Sequence, residues 1–230
     1  MHDTALAQMN MCIQVYLRKD QHYRILDLGS RKVGGSHATH RQLLKDYDHE
    51  YVGVDIARGR NVDVVMKKPY RIPVKSNSVD VVISNNVFEH IAFPWATFLE
   101  ICRVLKPGGL VFLVAPSRGQ RHGNPDCWRY YPDSMRSFAA IGRMNLVELH
   151  VDLPPRLPNG RPDYGAIGTN WWGDAVGVFR KPKKYSKLVA VVREVNVWWA
   201  NRVGGISHIE MPPPRPRRRR IAAKFGSQQS

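Results

Sequence analysis

Long apolar runs are missing from this chain. Stretches such as Leu188 to Val192 extend over only a few residues, where a membrane span needs about 20, so no transmembrane helix is expected. The first residues, interrupted by His2, Asp3 and Gln8, offer neither the basic nor the continuous apolar stretch of a secretory signal, and a cytoplasmic location is expected. Cysteine is scarce: Cys12, Cys102 and Cys127 are too few and too scattered for a disulfide framework or a CxxC metal site. Reduced thiols are expected, and no metal ligand set is read. Acids are also few, 19 Asp and Glu against 35 Lys and Arg, for a net charge of +16. Residues 211–230 hold +6 of this with no acid, which leaves +10 on the rest of the chain. A basic body suits anionic company such as RNA or an acidic lipid surface, but it says nothing of fold.

What the chain does contain is enough for one folded domain: 230 residues, 43% apolar and 23% charged. Asp3 to Lys19 places Leu6, Met9, Ile13 and Tyr16 at helical spacing, and residues 1–20 read as an N-terminal amphipathic helix. Short apolar segments follow at 23–29, 51–56, 62–66, 79–84 and 110–115, with two more at 146–151 and 173–179. Between the fourth and fifth, Trp95, Phe98, Leu99, Cys102 and Leu105 mark a helix ending at Lys106-Pro-Gly-Gly109. A further helix follows Pro132-Asp133. Continuous apolar strands alternating with helices predict an α/β fold, a doubly wound and mostly parallel sheet. The Pro- and Gly-rich residues 153–170 read as a lid or binding loop inside a domain spanning 21–180. Leu188, Val191, Val192, Val195 and Trp198 or Trp199 define the apolar face of a C-terminal helix within 181–208. The Pro and Arg residues beyond, 209–230, read as a disordered basic tail.

The glycine-rich stretch Ile25-Leu-Asp27-Leu-Gly29-Ser30-Arg-Lys-Val-Gly34-Gly35 directly follows the first strand. An acid, Asp55, closes the second, 26 residues after Gly29 and just before Ile56. In a doubly wound sheet, ligands sit beyond the carboxyl ends of the strands, where glycine admits close backbone approach and an acid accepts from ribose hydroxyls. The glycines do not form the G-x-G-x-x-G turn that holds a pyrophosphate, Asp27 precedes the loop, and the fourth strand runs into Asn85-Asn86. These features favour S-adenosylmethionine over NAD as the adenosine cofactor.

With Leu26-Asp-Leu-Gly29, Gly53-Val-Asp55, Asp80-Val-Val-Ile-Ser84, Val87-Phe-Glu-His90 and Arg103-Val-Leu-Lys-Pro-Gly-Gly109, residues 20–180 resemble the class I S-adenosylmethionine-dependent methyltransferases, in the type-11 branch. The resemblance implies a seven-stranded sheet with an antiparallel last strand. It also implies Gly29 and Ser30 against the methionine portion, Asp55 on the ribose, Ser84 and Asn85 beside the sulfonium, and a structural role for Asp80. The chain departs from the family at Arg31 and Val33, where glycine usually repeats, and at Lys68, where an aspartate often holds adenine. Backbone groups near Pro69 and Tyr70 are the substitute.

Methyl transfer is an in-line displacement that needs alignment, plus a general base when the acceptor is a hydroxyl. The loop after the fifth strand carries His122 four residues before Asp126, a base with its orienter, and Arg129 for substrate or for pairing with Asp126. His90 is the second base. Trp171 and Trp172, with Asp174, are read either as lining an acceptor pocket or as core anchors of the penultimate strand. The expected activity is O-methylation of a glycan or small molecule. RNA methylation using the basic surface, and a catalytically silent cofactor-binding protein, are the alternatives.

Overall fold

The computed structural model describes residues 3–34, 38–152, 156–161, 163, 172–184 and 187–203. Trp171, most of the 153–170 loop and the basic tail lie outside these residues. The chain runs α1 (Asp3–Tyr16), β1 (Tyr23–Leu28), α2 (His40–Leu43), β2 (His49–Asp55), β3 (Val64–Val65), β4 (Val79–Asn85), a 3-10 turn (Phe88–His90), α3 (Pro94–Val104), β5 (Leu105–Arg118), α4 (Pro132–Gly142), β6 (Asn145–Val151), β7 (Gly173–Arg180) and α5 (Lys187–Val203). Seven strands form one sheet in the order β3-β2-β1-β4-β5-β7-β6. Strands β1 to β5 pair in parallel, and β7 runs antiparallel to both β5 and β6.

The strands are apolar at nearly every position because both faces of the sheet are covered. Leu26, Val82, Val111 and Leu113 point to the side packed by Phe98, Ile101, Met135 and Phe138 of α3 and α4. Their sequence neighbours Ile25, Val81, Ile83, Phe112 and Val114 point to the other side, under Ala5, Met9 and Ile13 of α1 and Leu44 after α2. A period of two thus fills two cores from each strand.

Two expectations need correction. Leu105 does not end the third helix: it is extended (φ −70°, ψ 133°) and opens β5 by pairing with Val79. The register then shifts, Val81 pairing with Leu110, so that Lys106 to Gly109 form an irregular stretch inside the strand. Nor does the apolar stripe of the last helix face the core. Val189, Val197 and Ala200 are the buried residues of α5, which docks on α3, while Leu188, Val191, Val192, Val195, Trp198 and Trp199 are exposed. A valine-rich helix is apolar on two sides, and its narrower side won because Ala200 lets it lie close to Ala96 and Tyr70. The docking is keyed by polar contacts, the Tyr70 amide donating to Asn201 Oδ1 (3.2 Å) and Arg71 pairing with Glu194 (3.2 Å).

Candidate active site

The ends of β1, β2, β4 and β5 meet at one edge of the sheet. The turn after β1 depends on Gly29: its φ of +80° is one that L side chains rarely adopt, and a Cβ there would lie 2.1 Å from Val87 Cγ2. The amides of Gly29 and Ser30 both donate to the Val54 carbonyl (2.8 and 3.2 Å), which ties this turn to the neighbouring strand. Asp55, at the end of β2, accepts from the amides of Arg31 (3.2 Å) and Ala57 (2.9 Å). Each carboxylate oxygen can accept more than one bond, so acceptor capacity remains for a diol. Ile56 beside it is exposed, 67% of its surface facing solvent.

Asp27 lies buried beneath the turn. Its Oδ2 receives Tyr51 Oη and lies 3.0 Å from His40 Nδ1, whereas Oδ1 is buried and accepts no hydrogen bond. Ser30 Oγ is likewise buried without a partner. Orphaned acceptor and hydroxyl atoms on either side of a positive-φ glycine fit the ammonium and carboxylate of an amino-acid moiety, so the residues present suit S-adenosylmethionine. Ser84 sits deeper, fully buried, and donates to the Leu28 carbonyl (3.2 Å). Asn85 Nδ2 donates to the Ala5 carbonyl (3.0 Å) and lies 3.4 Å from His40 Nε2. His40, which no periodicity in the sequence marks, thus bridges Asp27 and Asn85. The Tyr70 amide, near where a backbone contact to adenine is expected, donates to Asn201 Oδ1 (3.2 Å). Asp80 stands at the opposite end of its strand, accepting from the Arg24 amide (2.9 Å) and from Lys106 Nζ (2.8 Å).

On the other side of the edge, the loop after β5 folds over the 3-10 turn that follows β4. It is pinned there by the Cys127 amide donating to the Glu89 carbonyl (2.6 Å), by Trp128 Nε1 to Ile91 O (2.8 Å) and by Tyr130 Oη to Phe88 O (2.8 Å). This brings His122 against His90, ring centroids 4.9 Å apart, with Trp172 edge-on to His122 at the same distance. Asp126 is held bidentately by Arg129 (2.6 and 2.8 Å), receives the His122 amide (2.8 Å) and lies 3.5 Å from His122 Nδ1. Burial would raise the Asp126 carboxyl, but the Arg129 guanidinium and the His122 amide bring it below its ordinary range. Arg129 also donates to the Gln120 carbonyl, so it orders the loop. The Pro125 carbonyl lies 2.6 Å from His90 Nδ1.

The sequence reading passed over Glu89. Its side chain is fully buried, and its Oε1 lies 3.7 Å from the Nε2 atoms of both His90 and His122. Glu89, opposed by partial burial and aided by Asp126, raises the His122 pKa above that of a free imidazole. The one visible signal was the adjacency of Glu89 to His90; that His122 returns to them is a property of the loop path. Asp174, read as acceptor lining or core anchor, is fully buried at the start of β7 and accepts from Thr4 Oγ1 (2.9 Å).

A family model described as a methyltransferase domain matches residues 26–113, which hold the Gly29 turn, Asp55 and Glu89. Residues 26–113 are thus similar to the methyltransferase-domain family. An uncharacterized methyltransferase of Mycobacterium tuberculosis is 34% identical over 92 residues, 35% of this chain and 36% of that protein. The match thus spans about a third of the length of such relatives. Among solved structures, the YcgJ protein of Bacillus subtilis superposes with a TM-score of 0.54 at 13% identity, covering 80% of this chain and 100% of that one. Phosphoethanolamine N-methyltransferase 2 of Haemonchus contortus, in complex with phosphomonomethylethanolamine and S-adenosylhomocysteine, gives 0.54 at 16%, covering 77% and 53%. At these identities the structural likeness is one of fold. Asp27, Gly29, Ser30, Asp55, Ser84 and Asn85 lie inside the matched segment, and His122, Asp126, Arg129 and Trp172 lie beyond it.

Proposed function

We propose that the protein is an S-adenosylmethionine-dependent methyltransferase acting on a hydroxyl of a glycan or small molecule. The observation that carries this reading is the pairing of the positive-φ Gly29 turn with Asp55 across β1 and β2, backed by the orphaned atoms of Asp27 and Ser30. When bound, the cofactor supplies an electrophilic methyl group. Gly29 and Ser30 would face its amino-acid portion, Asp55 its ribose hydroxyls, and Asn85 the region near the sulfonium. Ser84 supports this edge from below through Leu28.

On the acceptor side, His122 is the base for a hydroxyl proton, with its pKa raised by Glu89 and its loop fixed by the Asp126–Arg129 pair. His90 packs against it, and Trp172 offers a flat apolar wall suited to a sugar or ring face. Titration calorimetry tests the cofactor half. Wild type should bind S-adenosylmethionine and its demethylated product, and Asp55→Ala should bind about tenfold or more weaker, as expected on losing charge-assisted hydrogen bonds. No heat from wild type would favour a silent scaffold. Incubation with a labelled methyl donor and separate glycan, small-molecule, lipid and RNA fractions tests the acceptor half, and label in RNA alone would overturn the small-molecule reading.

A second reading concerns company rather than chemistry. The exposed face of α5 carries Trp198 (63% exposed), Val191 and Val195, with Trp199 at its border, 46% exposed and packed against Phe93 (ring centroids 5.0 Å). Arg202 lies over the Trp198 ring (5.9 Å), exposed Lys183 and Lys184 precede the helix in the chain, and the Arg-rich sequence of residues 215–220 follows it. An apolar stripe with indole rings and basic flanks suits an acidic lipid surface better than RNA, which offers no matching apolar layer.

A further inference from the structure

Two imidazoles and a carboxylate converge beside the cofactor edge at ion-pair distance, with no hydrogen bond to either carboxylate oxygen. Glu89 is fully buried, and neither of its oxygens accepts a hydrogen bond. A buried carboxylate with no donor is costly enough that a compensating cation is expected. The two groups aimed at it are His90 Nε2 and His122 Nε2, each 3.7 Å away, beyond hydrogen-bond range. His90 Nδ1 lies 2.6 Å from the Pro125 carbonyl, and an acceptor at that distance requires Nδ1 to carry the hydrogen. In its neutral form His90 therefore presents a lone pair from Nε2 to the carboxylate. A lone pair facing a carboxylate is repulsive until a proton or a metal ion sits between them.

We infer that Glu89, His90 and His122 form a binding site for a first-row divalent transition ion of the zinc type. The three ligand atoms lie within 4.8 Å of one another. Bonds of about 2.0–2.1 Å in a tetrahedral site would bring such atoms to about 3.4 Å apart, a contraction of a few tenths of an ångström from the 3.7 Å now present on two of the edges. Two nitrogens and one oxygen select zinc, cobalt, iron or manganese over calcium or magnesium, which prefer oxygen sets. The supporting contacts match those of a built site. A carbonyl holds Nδ1 of one imidazole, and Asp126 Oδ2 stands 3.5 Å from Nδ1 of the other. Gly123 keeps the loop backbone close over His90, since a Cβ there would come within 2.8 Å of His90 Cε1. Both imidazoles retain about a third of their exposure, 32% and 31%, which leaves a path for the ion and a free coordination position.

The existence of this site does not depend on methyl transfer; its use does, and that part rests on the methyl transfer to a hydroxyl proposed above while replacing His122 as the base. An acceptor hydroxyl bound at the open position would lose its proton to water more readily. Its oxygen pair then forms the bond to the methyl carbon, while the carbon–sulfur pair returns to sulfur as a thioether. In that case His122 Nε2 is a ligand and not the base, so the two roles exclude one another at one atom.

The test uses the full chain, stripped with a chelator and titrated with Zn²⁺ by calorimetry and with Co²⁺ by visible absorption. One equivalent should bind, with cobalt giving the intense d–d bands of a four-coordinate N/O site. His122→Asn and Glu89→Gln should each weaken binding roughly 100-fold or more, and Asp126→Asn by roughly 10- to 100-fold. S-adenosylmethionine affinity, measured in parallel, reports whether each variant is folded. Absence of stoichiometric binding, or binding unchanged in His122→Asn and Glu89→Gln proteins that still bind the cofactor, would overturn the site. Metal binding without methyl transfer to any fraction would leave the site standing and remove the methyltransferase reading. Methyl transfer that persists at full rate in the stripped protein would return His122 to the role of base and overturn the metal's use.

Discussion

Asp174 shows how far one carboxyl can be moved by its surroundings. Burial, with smaller contributions from Asp152 and Glu89, raises it from 3.8 to about 6 against the opposing bond from Thr4. The folded state therefore keeps this proton to higher pH than the unfolded chain does. Between about pH 4 and 6 the folded form binds more protons, and stability falls as pH rises through that window, with a constant penalty above it. Asp174→Asn should accordingly be nearly neutral at pH 4 and stabilising by on the order of 2–3 kcal/mol at pH 7.5. Urea denaturation at both values checks this, and an equal effect at both would remove the ionisation argument. Gly29→Ala makes a different kind of prediction. The added carbon meets Val87 at 2.1 Å on a backbone already at positive φ, so cofactor binding should be lost in calorimetry and melting lowered by several degrees, from a strain of about 1–3 kcal/mol. Asp55 and the Gly29 turn were legible in the sequence because a strand end and a glycine are local features. Asp27 and Ser84 were named from the loop and the resemblance, but their partners His40 and Leu28 were not, and Glu89 was not read at all, since His122, which meets it, is far away in the chain.

Elements were easier to read than their ends and faces. Strand positions followed from apolar runs that two covered faces demand, and β7 was placed antiparallel by resemblance and is so in the sheet. Leu105 was misassigned because it continues the helical spacing of Phe98 and Cys102, while the glycines that release it into β5 come after it. What ends α3 is supplied from elsewhere: buried Lys181, just past β7, donates from Nζ to the carbonyls of Cys102 and Leu105 (2.7 Å each) and to Asn77 Oδ1 (2.8 Å). Burial lowers its pKa from 10.5 to about 8, yet it remains the donor for these carbonyls at neutral pH. Lys181→Met keeps the volume and removes the donors. It should cost roughly 2–4 kcal/mol in chemical denaturation, one buried carbonyl's desolvation at a time. A loss under about 0.5 kcal/mol would mean that water reaches these carbonyls instead. The docking face of α5 was misread for a related reason: periodicity reports that a face is apolar, not which of two apolar faces finds a partner.

At the scale of the whole molecule, the proposed docking on an acidic lipid surface combines the charge of +16 with the exposed stripe of α5. The protein should cosediment with vesicles rich in anionic lipid at low salt and release as salt rises, with little binding to zwitterionic vesicles. Replacing Trp198 and Trp199 together with alanine should weaken vesicle binding by roughly tenfold or more at constant salt, because indole burial at the interface is lost. An unchanged affinity in that double variant, or displacement by RNA alone, would assign the charge to nucleic acid. The sheet order carries a consequence in time rather than space. Strand β7, the last to leave the ribosome, lies between β5 and β6. Until residue 180 has emerged, β5 exposes a pairing edge and β6 has no neighbour, although residues 26–113 are already complete. Synthesis of this chain thus passes through a period in which central strand β5 is an open edge, a pairing hazard that the arrival of β7 removes.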